Sequence, residues 1–170
     1  MYCLIGPEEN IMQVTFAPEK HAQLQKDLKS LSRNIHIRKQ RQNGFPYNSK
    51  FADYFAGRPT KFPEQPDSPL IAAGTDFQKS VWHHIGTIPY ARCITYQELA
   101  ELAGSTGGAR AAGMACGANP LALIIPCHRV VAVNGIGGFA GGVAIKEALL
   151  TLEGTLSKTV KKRKPTNKMT

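Results

Sequence analysis

The chain has 170 residues, of which 42% are hydrophobic and 19% charged, enough for one medium domain or two small ones with a real core. No run approaches the roughly 18 apolar residues of a membrane span, and the start lacks a basic-then-apolar leader, so a cytosolic protein is expected, or a nuclear one in a eukaryote. Cys3, Cys93, Cys116 and Cys127 form no CxxC pair, which argues against a disulfide framework or a clustered zinc site and for reduced thiols.

The net charge of +9 is uneven, because Lys158, Lys161, Lys162, Arg163, Lys164 and Lys168 follow Glu153 with no acidic residue among them. Residues 155–170 are therefore expected to be a basic, disordered tail whose charge favours a polyanion without carrying sequence information.

In chain order, residues 1–5 and 11–16 have strand character, the second with Met12, Val14 and Phe16 on one face. Pro18 can open a helix with Leu24, Leu28 and Leu31 in one stripe. Residues 35–38 form a further strand candidate, and Phe51, Tyr54 and Phe55 give a short helix closed by Gly57. Prolines 59, 63, 66 and 69 then interrupt a polar segment, and the domain boundary is placed there, at 68.

After Leu70 the texture turns helical. Asp76 is the expected cap of a helix with Phe77, Val81, Trp82 and Ile85 inward, stopped before Pro89. Thr95 and Glu98 make a capping box opening a helix with Leu99 and Leu102, closed by Gly104. A second helix over 107–116 follows after a brief turn, and two short helices joined this tightly point to a helix-turn-helix. That second helix is built of Gly, Ala and one long side chain, Arg110. Each Gly costs about 1 kcal/mol relative to Ala, so close approach of something is implied. Helix spacing alone favours a neighbouring helix over nucleic acid.

The apolar run LALIIP is read as a buried strand that delivers Cys127, His128 and Arg129. A lone cysteine there is ordinarily an inert core thiol. An adjacent base and fixed cation favour a thiolate instead, and a Cys–His contact between neighbours in sequence demands a turn at Pro126–Cys127. The glycine-rich loop 134–142 around Phe139 lacks the GK[ST] ending of a phosphate loop. A last helix over 144–152 would place Ile145, Leu149 and Leu152 inward and end at Glu153. A carboxylate sits badly at a helix C-terminus, so another group must hold it, and orientation of His128 in a Cys–His–Glu relay is one candidate.

The segments ITYQELA, GGARAAG, ANP eight residues before the cysteine, PCHRV and GGVAIKEALLTLEG together resemble the O6-alkylguanine-DNA alkyltransferases, or methylated-DNA–protein-cysteine methyltransferases. The resemblance covers residues 70–154 strongly; residues before it match only in size and order of elements. It implies an α+β fold: a small N-terminal α/β domain over 1–68 with a mainly antiparallel sheet, then a mostly helical DNA-binding and catalytic domain over 69–154 with the helix-turn-helix. It implies that Cys127 accepts an alkyl group by in-line displacement from O6 of guanine, with O4-alkylthymine as a further substrate. His128 would activate the thiol through a water, Glu153 would orient His128, and Asn119 would tie the recognition helix to the active-site turn. Tyr96 would hydrogen-bond the guanine and help neutralise it, and Arg110 would enter the base stack where the extruded nucleotide leaves it. Gly113, Arg129, Val130, Phe139 and Ala140 complete the implied substrate and DNA contacts. The partner would be double-stranded DNA, bound in the minor groove by a monomer and largely without sequence preference.

Two departures stand out. Ala140 follows Phe139 where the family commonly has Ser, leaving pocket shape and inhibitor sensitivity open. Some relatives bind zinc near the N-terminus, but only Cys3 is a plausible match and Asp67 stands where a His ligand would be, so no metal and no cofactor are expected. His21, His36, His83 and His84 are read as surface or packing residues. Three alternatives compete: a non-catalytic lesion sensor, which the presence of Cys127 argues against; a cysteine hydrolase, which leaves Arg110 unexplained; and a transcription regulator, for which the glycine-rich helix is poor at base readout.

Overall fold

The computed structural model describes residues 2–5, 11–20, 22, 23, 26, 47–62 and 68–155. The stripe Leu24, Leu28 and Leu31, the strand expected at 35–38, Pro63, Pro66, Asp67, His21, His36 and the basic tail lie outside the described residues, as does the side chain of Cys3.

The chain mixes helix and strand. Strands β1 (Tyr2–Ile5) and β2 (Ile11–Thr15) pair antiparallel, with Cys3 opposite Val14 and an irregularity at Leu4/Ile5. Gln13, Val14 and Thr15 are all buried, so this part of β2 is covered on both faces. Thr15 satisfies its hydroxyl by accepting from the Ala17 N–H at 3.0 Å. The outer edge of β2 does not face solvent: Val14 donates to the Pro120 carbonyl and accepts from the Ala122 N–H, both at 2.8 Å. The start of the chain is thereby laddered to the segment leading into Cys127.

Helix α1 (Asn48–Phe55) buries Phe51 and Tyr54 and ends in Gly57, whose φ of +76° suits glycine. A short helix α2 (Pro69–Ala72) leads to α3 (Asp76–Gly86). The cap of α3 is Thr75 rather than Asp76: its hydroxyl accepts from the Gln78 N–H while Gln78 reaches back, a complete capping box one residue earlier than expected. Val81, Trp82 and Ile85 are buried as their spacing predicts.

Strand β3 (Ile94–Thr95) runs parallel to β4 (Val130–Val131), Ile94 opposite Val130. Thr95 caps α4 (Tyr96–Leu102) through the expected box with Glu98. Helix α5 (Ala109–Ala118) starts two residues later than expected because Gly107, at φ +77°, belongs to the turn. The two helices pack on each other and on α3, where the Trp82 indole N–H donates to the Ala115 carbonyl at 2.9 Å.

The apolar run over 121–126 is buried but is not a regular strand. It turns on itself: Leu123 has φ +71°, Ile125 donates to the Leu121 carbonyl, and Cys127 donates to that of Ile125, each at 2.8 Å. Buried backbone groups need partners, and prolines at 120 and 126 flank a segment that finds them locally. Residues Cys127–Arg129 form one 3-10 turn before β4. The last helix, α6 (Val143–Leu152), packs the expected Ile145, Leu149 and Leu152 against the core and buries Lys146 and Leu150 as well.

Candidate active site

The turn demanded at Pro126–Cys127 is present, with the Arg129 N–H closing onto the Pro126 carbonyl at 2.9 Å. Asn119, immediately after α5, fixes it. Its side-chain amide donates to the Ile125 carbonyl at 2.8 Å and to Cys127 Sγ at 3.2 Å, and its Oδ1 accepts from the Leu121 N–H at 3.0 Å. The recognition-helix candidate and the thiol are thus one rigid unit.

Cys127 is only 6% exposed. Burial pushes its thiol above the ordinary range, opposed by the Asn119 amide and the Lys146 and Lys20 charges. The expected thiolate is therefore corrected to a resting thiol. The reason lies in where the two neighbouring charges go. Arg129 does not face the thiol: its Nε lies 3.0 Å from Glu153 Oε2, a terminal nitrogen 3.1 Å from Oε1, and its other nitrogen donates to the Ile88 carbonyl at 2.6 Å. Burial lowers the pKa of His128 despite its hydrogen bond to Glu153, so the imidazole is neutral.

His128 and Glu153 form the expected contact, Nε2 to Oε1 at 2.8 Å, both side chains fully buried. Burial alone would raise the Glu153 carboxyl, but the bonds from His128 and Arg129 prevail and hold it at about 2. With an ionised carboxylate on Nε2, that nitrogen carries the proton and Nδ1 keeps its lone pair. Nδ1 is buried and has no hydrogen-bond partner among the described residues.

On the other side of Cys127 opens a cavity of about 470 Å³, walled by Tyr96, Arg110, Gly113, Met114, Cys116, Phe139 and Ala140. Of the substrate-contact residues expected from sequence, Tyr96, Arg110, Gly113, Phe139 and Ala140 meet here. Arg129 and Val130 do not: both are buried behind the turn, and Val130 offers its carbonyl to Lys146 Nζ at 2.6 Å. Arg110 and Met114 stand exposed on α5 at the mouth.

Tyr96 spans the cavity wall and donates its hydroxyl proton to the Gly138 carbonyl at 3.1 Å. Burial, then the two nearby thiols, raise its pKa well above the tyrosine range. A side chain on Gly137, at φ +74°, would sit 2.8 Å from the Tyr96 ring, so glycine is needed where the loop passes the ring.

Two participants were invisible in sequence. Lys146, inside α6, is fully buried; its ammonium is held by the Val130 and Gly138 carbonyls and lies 3.5 Å from the Tyr96 oxygen. Burial lowers its pKa to about 8. Tyr54 comes from α1 and donates to Glu153 Oε1 at 2.7 Å. Only its helical spacing was legible, as a packing residue.

The family model described as the DNA binding domain of 6-O-methylguanine DNA methyltransferase matches residues 76–155. The methylated-DNA--protein-cysteine methyltransferase of Mycobacterium bovis is 48% identical over 101 residues, 59% of this chain and 59% of that protein, so the chain spans under two thirds of that relative's length. That of Mycobacterium leprae is 43% identical over 116 residues, covering 64% of this chain and 68% of the relative. A crystal structure of Mycobacterium tuberculosis OGT in complex with DNA superposes with a TM-score of 0.57 at 44% identity, covering 63% of each chain. With the thiol, imidazole and carboxylate in one buried cluster beneath an open cavity, and with relatives this similar over that same part, the chain belongs to the methylated-DNA--protein-cysteine methyltransferase family.

Proposed function

We propose that the protein repairs alkylated DNA by direct reversal, moving an alkyl group from O6 of guanine, or O4 of thymine, onto Cys127. The observation that carries this reading is a buried thiol flooring an open cavity, backed by a neutral imidazole whose Nδ1 is bare and whose Nε2 is locked to a carboxylate.

The chemistry follows from that arrangement. His128 Nδ1 takes the Cys127 proton through a water, and the thiolate exists only as it attacks, in surroundings that disfavour its charge. The sulfur forms a bond to the alkyl carbon while the carbon–oxygen bond breaks, its electron pair staying with the base. A proton supplied through the Tyr96 hydroxyl neutralises the base, and the net exchange is alkyl for hydrogen on sulfur. The product thioether has no leaving group to return, so each molecule acts once and needs no cofactor.

Reaching an O6-alkyl group requires taking the nucleotide out of the stack, at a cost of a few kcal/mol. Helices α4 and α5 serve as the helix-turn-helix. The thin, small-residue face of α5 enters the minor groove, and Arg110 fills the gap left in the stack. Such a face offers no row of base readers, consistent with sequence-independent binding. DNA as partner is supported by the complex solved for the Mycobacterium tuberculosis protein. Residues 69–154 form the catalytic unit braced by the N-terminal segment, and the protein acts as a monomer in the cytoplasm, or the nucleus of a eukaryote. No helix among the described residues is long and apolar enough to cross a membrane.

Intact-mass measurement after incubation with duplex DNA carrying O6-methylguanine is the test. A gain of one methylene per protein, abolished in Cys127→Ser, is expected. An unmodified protein, or more than one repaired lesion per protein, would overturn the reading.

A further inference from the structure

Tyr54 reaches the buried relay from the N-terminal segment. It is wholly enclosed on α1, edge-on to Tyr90 at 6.1 Å and to the His128 ring at 6.3 Å. A buried phenol needs a hydrogen-bond partner, but many acceptors would satisfy it. What it selects is Glu153 Oε1, the same oxygen that holds His128 Nε2, and its own oxygen lies 3.3 Å from that nitrogen.

The other carboxylate oxygen, Oε2, is occupied by Arg129 Nε at 3.0 Å and the Ala91 N–H at 3.1 Å. Arg129 also donates from a terminal nitrogen to Oε1 at 3.1 Å, so both oxygens are held, and Tyr54 shares with Arg129 the oxygen that touches the imidazole. A carboxylate free to turn would leave the ring free to turn with it. The proton could then settle on either nitrogen, and an imidazole protonated on Nδ1 cannot accept one there.

We propose that Tyr54 is a positioning residue for alkyl transfer: by locking Glu153 Oε1 against His128 Nε2 it keeps Nδ1 the proton-accepting nitrogen. This rests on the alkyl-transfer reading above. It also gives residues before the proline-rich segment a direct part in the chemistry, beyond bracing the fold.

The groups facing His128 are few. Glu153 favours its charged form; Arg129 on the same turn and Lys146 on α6 disfavour it. Cys127 precedes it, Tyr54 packs on its ring from α1, and Tyr90, in the loop after α3, packs on Tyr54 in turn. Removing the Tyr54 hydroxyl leaves Oε1 a stronger acceptor and the imidazolium better stabilised. The acid limb of the rate profile should then move to higher pH.

The test uses the full chain under single-turnover conditions, following S-methylation of Cys127 by an O6-methylguanine duplex from acid to neutral pH, with thermal midpoints read alongside. Tyr54→Phe is expected to slow transfer about tenfold at neutral pH, the scale of a lost general-base alignment, and to raise the acid limb by about half a pH unit. Tyr90→Phe is the comparator. Among the described residues its hydroxyl donates to the Gly57 and Leu152 carbonyls, each at 3.3 Å, and not to Glu153, so it should lose similar stability without moving the limb. In a Glu153→Gln background, Tyr54→Phe should cost no further rate, because both act through one interaction.

Nitrogen NMR of His128 in the unaltered protein supplies a readout that does not depend on a variant folding, and the Nε2–H tautomer is expected. An unchanged rate and limb in a folded Tyr54→Phe protein, a rate loss with the limb unmoved as in Tyr90→Phe, or an Nδ1–H tautomer would each overturn the positioning role while leaving alkyl transfer standing. Failure of the unaltered protein to gain a methylene would overturn both.

Discussion

Arg129 illustrates how a residue beside a nucleophile can serve it indirectly. Its guanidinium is spent on Glu153 and the Ile88 carbonyl and stands 5.8 Å over the Tyr90 ring. None of this faces the cavity. Arg129→Ala would leave a buried carboxylate short of its main countercharge, and a broken buried pair costs on the order of 3 kcal/mol. Chemical denaturation should show that loss. The salt dependence of DNA affinity should stay unchanged, because no phosphate contact is removed; a reduced salt slope would return Arg129 to the DNA-facing set. Tyr96 and Lys146 make a complementary pair on the cavity side, where the phenol oxygen has a cation near it as well as a carbonyl to donate to.

At the scale of elements, α5 is the informative case. A Cβ on Gly113 would meet the Tyr96 ring at 3.8 Å, an ordinary contact. Nothing in the protein itself requires glycine there. Gly113→Ala should therefore stabilise the helix by up to about 1 kcal/mol, raising the melting midpoint by about 2–4 °C. If the thin face exists for close approach to DNA, the same change should weaken duplex binding severalfold. A variant that is more stable and binds DNA as well as before would argue that the small residues serve only packing.

The same helix shows what the sequence could and could not reveal. The capping box at Thr95, the buried stripe of α3 and the turn before Cys127 follow from local rules, and all three are present. The cap of α3 was misplaced by one residue because Thr75 and Asp76 are both good caps and only the geometry of Gln78 decides. The run after Pro120 misled because hydrophobic content reports burial, not extension. His128 meets Glu153 at 2.8 Å and Asn119 reaches Cys127 Sγ at 3.2 Å, two contacts across the chain that their motifs imply. Tyr54 and Lys146 were hidden for a different reason. Each sits where periodicity demands a packing residue, and their polar ends act across sequence separations that no local pattern encodes.

For the molecule as a whole, the buried relay should dominate the response to acid. His128 has a folded pKa below its usual 6.5 and Glu153 one below its usual 4.5, at about 2. In both cases the unfolded chain binds protons that the folded one refuses, so stability rises with pH across the interval. The His128 contribution is lost first as pH falls below about 6.5, and that of Glu153 follows as pH falls from about 4.5 toward 2. Thermal midpoints are expected to fall by several degrees between pH 7 and 5. His128→Gln should flatten that upper part of the curve, while the lower part persists to the extent that Arg129 holds Glu153. A midpoint constant from pH 7 to 5 in the unaltered protein would contradict the buried, neutral imidazole.

The ladder joining Val14 to Pro120 and Ala122 also bears on how the molecule is made. During synthesis, β2 leaves the ribosome while the segment that will cover its second edge has yet to be translated. It can pair with β1 at once, but its other row of backbone groups must wait for most of the chain. Contacts so distant in sequence close slowly, and an unpaired edge is a template for pairing with other chains. Newly made molecules thus pass through an interval in which β2 is exposed and the Cys127 turn is unbraced, and completion of one ladder ends both conditions together.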